Sequence, residues 1–160
     1  MGAGKPVNFH TKHKFIVRID GFERADFSQC SELSKELGII EHREGGSLLA
    51  TKIPGLMTIP NVTLSRGSSK DLDFYNWFKD VSDTAANGEP GLSSESTPTF
   101  SRTVEIVQLD RDGRELAVYR LIDAWPCKVS AGDWDNDAEE VQIEQLDLCI
   151  HSWERVAPQG

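Results

Sequence analysis

The stretch "TVEIVQLDRDGRELAVYRLIDAWPCKVS", residues 103–130, decides the fold of this chain. Two apolar runs rich in β-branched residues flank residues 110–113, "DRDG", which have the composition of a tight turn. Glycine at the end of such a turn supplies the positive φ that the hairpin geometry needs. The sequence therefore predicts two long antiparallel strands joined by this turn.

Further strands are predicted on the N-terminal side of this hairpin. "KFIVRIDG", residues 14–21, places Phe15, Val17 and Ile19 at alternate positions, which is typical of a strand with one buried face. "PNVTLSRG", residues 60–67, is rich in β-branched residues and is predicted as another strand. The segment "ADFSQCSEL" between these two is expected to pair back on the first strand.

The last strand-like run is "EEVQIEQLDLCIHSWERV", residues 139–156. Val141 and Ile143 alternate on one parity, and the apolar positions from Leu146 onward alternate on the other. A change of parity moves side chains to the opposite face of a sheet. The run therefore predicts a bulge or a strand that passes between two environments.

One helix is predicted, in "SSKDLDFYNWFKDVSD", residues 68–83, with Ser68 or Ser69 as the cap. Its apolar stripe is predicted at a three-residue spacing, widened by two further aromatic residues, and is interpreted as core against a sheet. The stripe consists of Leu72, Tyr75, Phe78 and Val81, and the widening residues are Phe74 and Trp77. Residues 82–101, rich in Gly, Ser, Thr and Pro, are predicted to form a long mobile loop.

The elements together predict a mainly β protein, an antiparallel β-sandwich or barrel with one flanking α-helix. Its 160 residues suffice for one domain with a buried core. An open sheet leaves edge strands with unpaired backbone groups, which recruit other chains. We therefore expect either a closed sheet or a protein that associates.

Composition indicates which partners and which cellular compartment to expect. The net charge of −9 disfavours sequence-specific binding to nucleic acid, whose phosphates it would repel. No apolar run is long enough to span a bilayer, and no apolar segment follows the basic residues near the N-terminus, so synthesis and folding in the cytosol are expected. Cys30, Cys127 and Cys149 are widely spaced and are interpreted as buried thiols.

Two patterns in the sequence resemble metal-binding sites. Asp133, Asp135, Asp137 and Glu144 occupy positions 1, 3, 5 and 12 of an EF-hand loop, but Ala138 stands where that loop needs glycine. An acidic turn between strands is the preferred interpretation. His10 and His13 are close in sequence but have no third ligand nearby, so a zinc site is not predicted.

Catalytic motifs are absent from the sequence. His42 and His151 stand alone, and no nucleophile, metalloprotease or phosphate-loop motif occurs. The run "IIEHREGGSLLATKIPG", residues 39–55, contains two adjacent glycines but leads into a strand and not into a helix, so it is not a phosphate loop. It is a partly apolar excursion that would serve as an interface when docked on a neighbour.

These residues resemble the tail-tube proteins of contractile phage tails and of related extracellular contractile injection particles. The resemblance runs from about Phe15 to Val156 and rests on several motifs in the same order. They are the "F-x-V-x-I-x-G" opening at 15–21, "FSQCSEL", "EHREGG", "KIPG", "VTLSRG", "DLDFYNWF", "VEIVQLDRDG", "AWPCKVS" and "EEVQIEQLDL". On this basis residues 1–14 are an N-terminal arm, 15–156 the tail-tube domain, and 157–160 a C-terminal tail.

The resemblance implies a structural protein with no catalytic residues, no cofactor and no metal. In that family six copies form a ring whose strands join into one barrel around a lumen, and the rings stack into a tube inside a sheath. The implied partners are further copies of the chain, sheath and baseplate or tube-initiator proteins, and DNA or protein cargo that passes through the lumen without sequence-specific binding. Insertion into a membrane is not implied. The implied location is the bacterial cytoplasm during assembly, then a virion tail or an extracellular injection particle.

The family also places the loop that corresponds to residues 41–55 against neighbouring subunits. The implied interface residues are Glu44, Gly45, Gly46, Ser47, Leu48, Leu49, Lys52, Pro54, Gly55 and Arg66. An acidic lumen is also expected, from the net charge. The alternatives are a paralogous tube-initiator or baseplate protein, a stand-alone β-barrel that binds a small ligand or calcium, and, third, an enzyme.

Overall fold

A computed structural model describes residues 14–22, 27–67, 72–86, 100–132, 134–137, 139 and 142–158. It contains nine strands and one helix in these ranges. They are β1 (Lys14–Ile19), β2 (Gln29–Cys30), β3 (Glu36–His42), β4 (Thr51–Thr58), β5 (Val62–Gly67), α1 (Asp73–Ala86), β6 (Arg102–Leu109), β7 (Glu115–Ala131), β8 (Ile143–Cys149) and β9 (Ser152–Val156). The mainly β, antiparallel fold with one helix is thus confirmed.

Strand β7 belongs to two antiparallel sheets. Its first half pairs with β6 on one side and β9 on the other, and β1 pairs with β6, which gives the order β1-β6-β7-β9 that we call sheet I. Its second half pairs with β8, followed by β5 and β2, in the order β7-β8-β5-β2 that we call sheet II. Asp123 lies between the two halves with a φ of 52°. The long strand therefore changes partners at this residue.

The β6–β7 hairpin forms as predicted. The backbone N–H of Asp110 donates to the carbonyl of Arg114 at 2.9 Å, and Gly113 has a φ of 81°. The Asp110 carboxylate accepts the backbone N–H of Asp112 at 2.8 Å and of Arg114 at 2.9 Å. The turn thus satisfies its own backbone donors, which fixes the register of both long strands.

The core lies between the two sheets and the helix. Sheet I contributes Val17, Val104 and Leu121, and sheet II contributes Leu64 and Leu148, each at most 1% exposed. Burial of one such side chain stabilises the fold by about 1.5–3 kcal/mol. The protomer therefore has a complete apolar core of its own.

The helix packs on this core through a face that differs from the predicted stripe. Phe74, Trp77 and Val81 are buried, whereas Leu72 and Tyr75 are 62% and 58% exposed. A strict three-residue spacing drifts around a helix that has 3.6 residues per turn, so the predicted stripe could not stay on one face. The Trp77 indole N–H donates to the carbonyl of Phe100 at 2.8 Å, which ties the helix to the start of β6.

The helix also runs further than predicted. It continues to Ala86, so the first residues of the predicted 82–101 loop are helical, and residues 87–99 lie outside the described ranges. Residues 82–84 were predicted as loop because they are polar, but polar residues are normal on the outer face of a surface helix. The Thr84 hydroxyl donates to the carbonyl of Asp80 at 2.9 Å within the helix. The predicted caps Ser68 and Ser69 lie outside the described residues.

Two strand predictions need correction. Strand β2 does not pair with β1 but with β5, where Gln29 lies opposite Ser65. Phe27 just before it is buried against Phe74, which carries the chain towards sheet II. The run 139–156 forms two strands, both paired with β7, and β8 keeps a continuous register with β5. The change of environment is right, and the irregularity lies on the partner strand: the β7–β8 register shifts between Pro126 and Lys128, which places the extra residue on β7.

No helix in the described part of the chain is long and apolar enough to cross a bilayer.

Candidate functional site

Strands β3 and β4 form a hairpin that stands apart from both sheets; we call residues 36–58 the arm. Within the described residues the two strands pair only with each other. An isolated two-stranded hairpin is marginally stable in water, and it needs packing against something else to persist. The arm therefore lacks the support that the other strands have.

A bulge in β4 bends the arm near its base. The register shifts between Leu37 and Ile39, so that Gly38 faces both Gly55 and Leu56. A Cβ atom on Gly55 would lie 3.1 Å from the carbonyl oxygen of Gly38, which is closer than nearly all real contacts. Proline is tolerated in a strand at an edge or a bulge, as at Pro54. The glycine of the "KIPG" motif thus lets the backbones of β3 and β4 approach closely.

Large apolar side chains cover the arm and are open to solvent. Of twelve exposed large hydrophobic residues in the described ranges, eight lie on the arm. They are Leu37, Ile39, Ile40, Leu48, Leu49, Ile53, Leu56 and Met57. A contiguous exposed apolar surface on a protein this size marks an interaction site.

Both faces of the arm carry this apolar surface. Directly opposed residues share a face, so Leu37 with Met57 and Ile39 with Pro54 lie on one face. The pair Ile40 and Ile53 lies on the other. A hairpin that packed on its own protomer would hide one of these faces, and neither is hidden here.

The turn at the tip of the arm presents two leucines. Ser47 donates its backbone N–H to the carbonyl of Glu44 at 3.0 Å and its hydroxyl to the carbonyl of Leu49 at 2.9 Å. Leu48 and Leu49 are 94% and 82% exposed. These hydrogen bonds hold the turn while both apolar side chains project into solvent.

Nine of the ten predicted interface residues lie together in the arm, either in its turn or on β4. Arg66 does not join them. It is on β5, 7% exposed, with Nε 3.3 Å from a carboxylate oxygen of Glu144 and its guanidinium 4.1 Å from the centre of the Phe74 ring. The apolar residues of β3, in "ELGII" at 36–40, lie on the same hairpin and were not among the ten predicted interface residues.

A second surface with open backbone groups is the pair of outer strands of sheet I. In the described structure β1 pairs only with β6, and β9 pairs only with β7. The strands have six and five residues and run in opposite directions, because each neighbour in the sheet is antiparallel. Among the described strands, both edges are therefore open to another strand.

Metal chemistry finds little support in the described residues. No group of three or more His, Cys, Asp or Glu side chains there could hold an ion. The Asp135 carboxylate accepts the backbone N–H of Asp137 at 2.9 Å, and the carboxylate of Glu144 is paired with Arg66. These contacts fit an acidic turn next to a strand. Asp133, Ala138, His10 and His13 lie outside the described ranges.

All three cysteines are half-buried, whereas buried thiols were predicted, and two of them have raised pKa values. Burial raises the pKa of the Cys30 thiol to about 11. Burial, and then the nearby Cys149, raise the pKa of Cys127. Because the thiolate is the reactive species, both thiols are inert near neutral pH.

An open cleft of about 770 Å³ lies beside β1, β2 and β5. Its lining is mostly uncharged, with Gln29, Thr63, Gln108 and Gln145 among its polar groups and Lys14 as the one charged side chain. Among the described residues no carboxylate and no histidine line it, and its titratable side chains are Lys14, Cys30 and Tyr119.

Solved structures share this fold at low sequence identity. A chain in the cryo-EM structure of the anti-feeding prophage (AFP) baseplate, 6-fold symmetrised, is 22% identical with a TM-score of 0.72, over 94% of this chain and 97% of its own. A chain in the sheath-tube complex of an extracellular contractile injection system, PVC, in the extended state is 20% identical with a TM-score of 0.70, over 90% and 88%. Hcp1 from Salmonella typhimurium is 15% identical with a TM-score of 0.53, over 88% and 83%.

Sequence comparison identifies the family. No curated protein matches the chain significantly. Residues 11–154, nearly the whole chain, match the family described as T4-like virus tail tube protein gp19. This match agrees with the fold that the solved structures share. The chain belongs to the T4-like virus tail tube protein family, and it is a structural, non-enzymatic tube subunit.

Proposed function

We propose that this chain assembles into rings of six that stack into the inner tube, and that the arm makes the contacts between copies. The observation that carries the proposal is the arm itself, an unsupported hairpin with apolar side chains exposed on both faces. Nine of the predicted interface residues lie in it, and Arg66, buried within the protomer, is not part of this surface.

Closure of the ring uses the free edges of sheet I. Strands β1 and β9 each have one unpaired side, and a ring in which β9 of one copy meets β1 of the next would satisfy all of these backbone groups. Head-to-tail contacts of this kind close into a ring when the rotation per copy divides a full turn. The AFP baseplate structure that contains a similar chain is 6-fold symmetrised, which supports six copies here.

The sheath and the baseplate are the proposed protein partners, and DNA or protein cargo would pass through the lumen without sequence-specific contacts. Similar chains occur in a sheath-tube complex and in a baseplate structure, which supports this assignment. Assembly would take place in the bacterial cytoplasm, before the tube becomes part of a particle.

Negative-stain electron microscopy of the purified chain tests the proposal. We expect long cylinders of uniform diameter from the intact chain. Deletion of residues 45–51 should leave a soluble protomer that no longer stacks, because it removes the tip with Leu48 and Leu49. Leu72→Ser, which removes an exposed leucine outside the arm, is the control and should form normal tubes. Cylinders of normal length from the deletion variant would refute the role of the arm.

A tube-initiator or baseplate role is the second candidate, because one similar chain comes from a baseplate structure. An initiator would form single rings or short stacks that do not elongate. The length distribution in the same micrographs separates the two roles.

A further inference from the structure

The outer face of sheet I, opposite the core, carries a row of alternating charges. Arg18 on β1 lies opposite Glu105 on β6, which lies opposite Arg120 on β7, which lies opposite Glu154 on β9. Arg18 is 3.8 Å from the Glu105 carboxylate and Arg120 is 3.4 Å from that of Glu154. The row therefore begins with a cation on one free edge and ends with an anion on the other.

An apolar row runs beside the charged one. Ile16, Val107, Val118 and Val156 lie opposite one another across the same four strands. Val107 and Val118 are 0% and 2% exposed although they lie outside the core cluster. The ion pair from Arg18 to Glu115, at 3.1 Å, joins β1 to β7 across β6 at the level of Val107.

From these two rows we infer the register in which neighbouring copies pair within the ring, an inference that rests on the proposed function. Strand β9 of one copy pairs antiparallel with β1 of the next. Glu154 lies opposite Arg18 of the partner subunit, and Val156 lies opposite Ile16 of the partner subunit. Both rows then continue without interruption from copy to copy around the ring.

Neighbouring registers break at least one of the rows. A slip of one residue would turn the faces of the strand over and place core-side residues with outer ones. A slip of two residues in one direction places Glu154 beside the apolar Ile16, and a slip in the other direction places it beside Asp20. Like charges directly opposite are destabilising, whereas opposite charges and apolar pairs stabilise a sheet. Charge complementarity and face matching thus select one register.

The charges on the four strands of the outer face balance one another. The charged side chains on the outer face of sheet I are three cations, Lys14, Arg18 and Arg120, and three anions, Glu105, Glu115 and Glu154. This face is neutral, although the chain carries a net charge of −9.

Two charge reversals test the register. Arg18→Glu places two carboxylates at each junction, and Glu154→Arg places two guanidinium groups there, so each variant alone should weaken every junction, by roughly two- to thirtyfold. An equimolar mixture should restore rings, because strict alternation of the two variants gives every junction an opposite pair. Recovery in the mixture also shows that both variants are folded.

Controls match the change in charge away from the edges. Arg111→Glu and Asp112→Arg reverse exposed charges in the β6–β7 turn and should form rings alone. The proposed register is wrong if each edge variant forms rings alone, or if the mixture does not recover. In either case the ring-forming function still stands, provided that the native chain forms tubes. A native chain that stays a monomer would overturn both.

Cross-linking gives an independent measurement. Ile16→Cys with Val156→Cys places thiols at directly opposed positions across the junction, so mild oxidation should give covalent oligomers up to the size of the ring. Ile16→Cys with Glu154→Cys is displaced by two residues and should cross-link poorly. Efficient cross-linking of the displaced pair in preference to the opposed one would refute the proposed register.

Discussion

Replacement of the two leucines at the tip of the arm, Leu48→Ser with Leu49→Ser, should abolish tube formation without weakening the protomer. The side chains are 94% and 82% exposed, so the folded protomer loses almost no buried apolar surface. Full burial of a leucine is worth about 1.5–3 kcal/mol, so two leucines buried at the interface contribute about 3–6 kcal/mol per copy. A factor of ten corresponds to about 1.4 kcal/mol, so the concentration needed for assembly should rise by about 10²–10⁴.

Sedimentation of tubes as a function of protein concentration measures this shift, and thermal melting of the unassembled protomer measures its stability. Leu72→Ser removes an exposed leucine from the residue just before α1 and is the matched control. We expect the control to assemble at the same concentration as the native chain. An unchanged assembly concentration for the double variant would show that the tip does not become buried, and the arm would lose its assigned role.

Four further results are expected. Gly55→Ala should prevent assembly, because its Cβ would lie 3.1 Å from the Gly38 carbonyl oxygen and distort the arm, while protomer melting stays unchanged. Gly45→Ala is the control: its Cβ would have no atom within 4 Å, so this variant should assemble normally. Leu121→Ala, at a site with 0% exposure, should lower the free energy of unfolding by about 2–5 kcal/mol in urea titrations. The Cys30 thiol has a pKa of about 11 in the folded chain and 9.0 in the unfolded chain, so the unfolded chain loses this proton first. The free energy of unfolding should therefore fall as the pH rises from 9 to 11. Thermal melting of Cys30→Ala over the same pH range should lack this dependence. Light scattering should show more assembly when salt rises from about 50 mM to about 500 mM, because screening reduces repulsion between acidic copies; tubes that dissolve in salt would mean that ion pairs dominate.

The elements that sequence predicted well are those whose local chemistry and tertiary role agree. The β6–β7 hairpin could be predicted from sequence because the Asp110 carboxylate and Gly113 define the turn without help from the rest of the fold. The buried face of the helix could not be predicted in the same way. Leu72 and Phe74 are both large and apolar, and only the position of the sheet determines which of them becomes buried.

The arm shows a different limit. Its apolar residues and glycines could be read from sequence, and the resemblance to tube proteins placed them at an interface. What sequence could not show is that β3 and β4 pair with each other and with no other strand in the described chain. The prediction of Arg66 as an interface residue failed to foresee its burial, because a surface arginine and an arginine stacked on Phe74 look alike in a sequence.

The two proposed contact surfaces differ in what they can specify. The arm offers apolar area on both faces, and apolar burial is strong but not directional, so it favours association without fixing a single geometry. The edges of sheet I offer backbone hydrogen bonds in a fixed spacing and a charge pattern that distinguishes one register from its neighbours. A tube needs both properties, since every ring must close in the same way before the next can stack. Loss of the arm should therefore prevent rings from stacking, whereas a mismatch at the edges should prevent rings from closing.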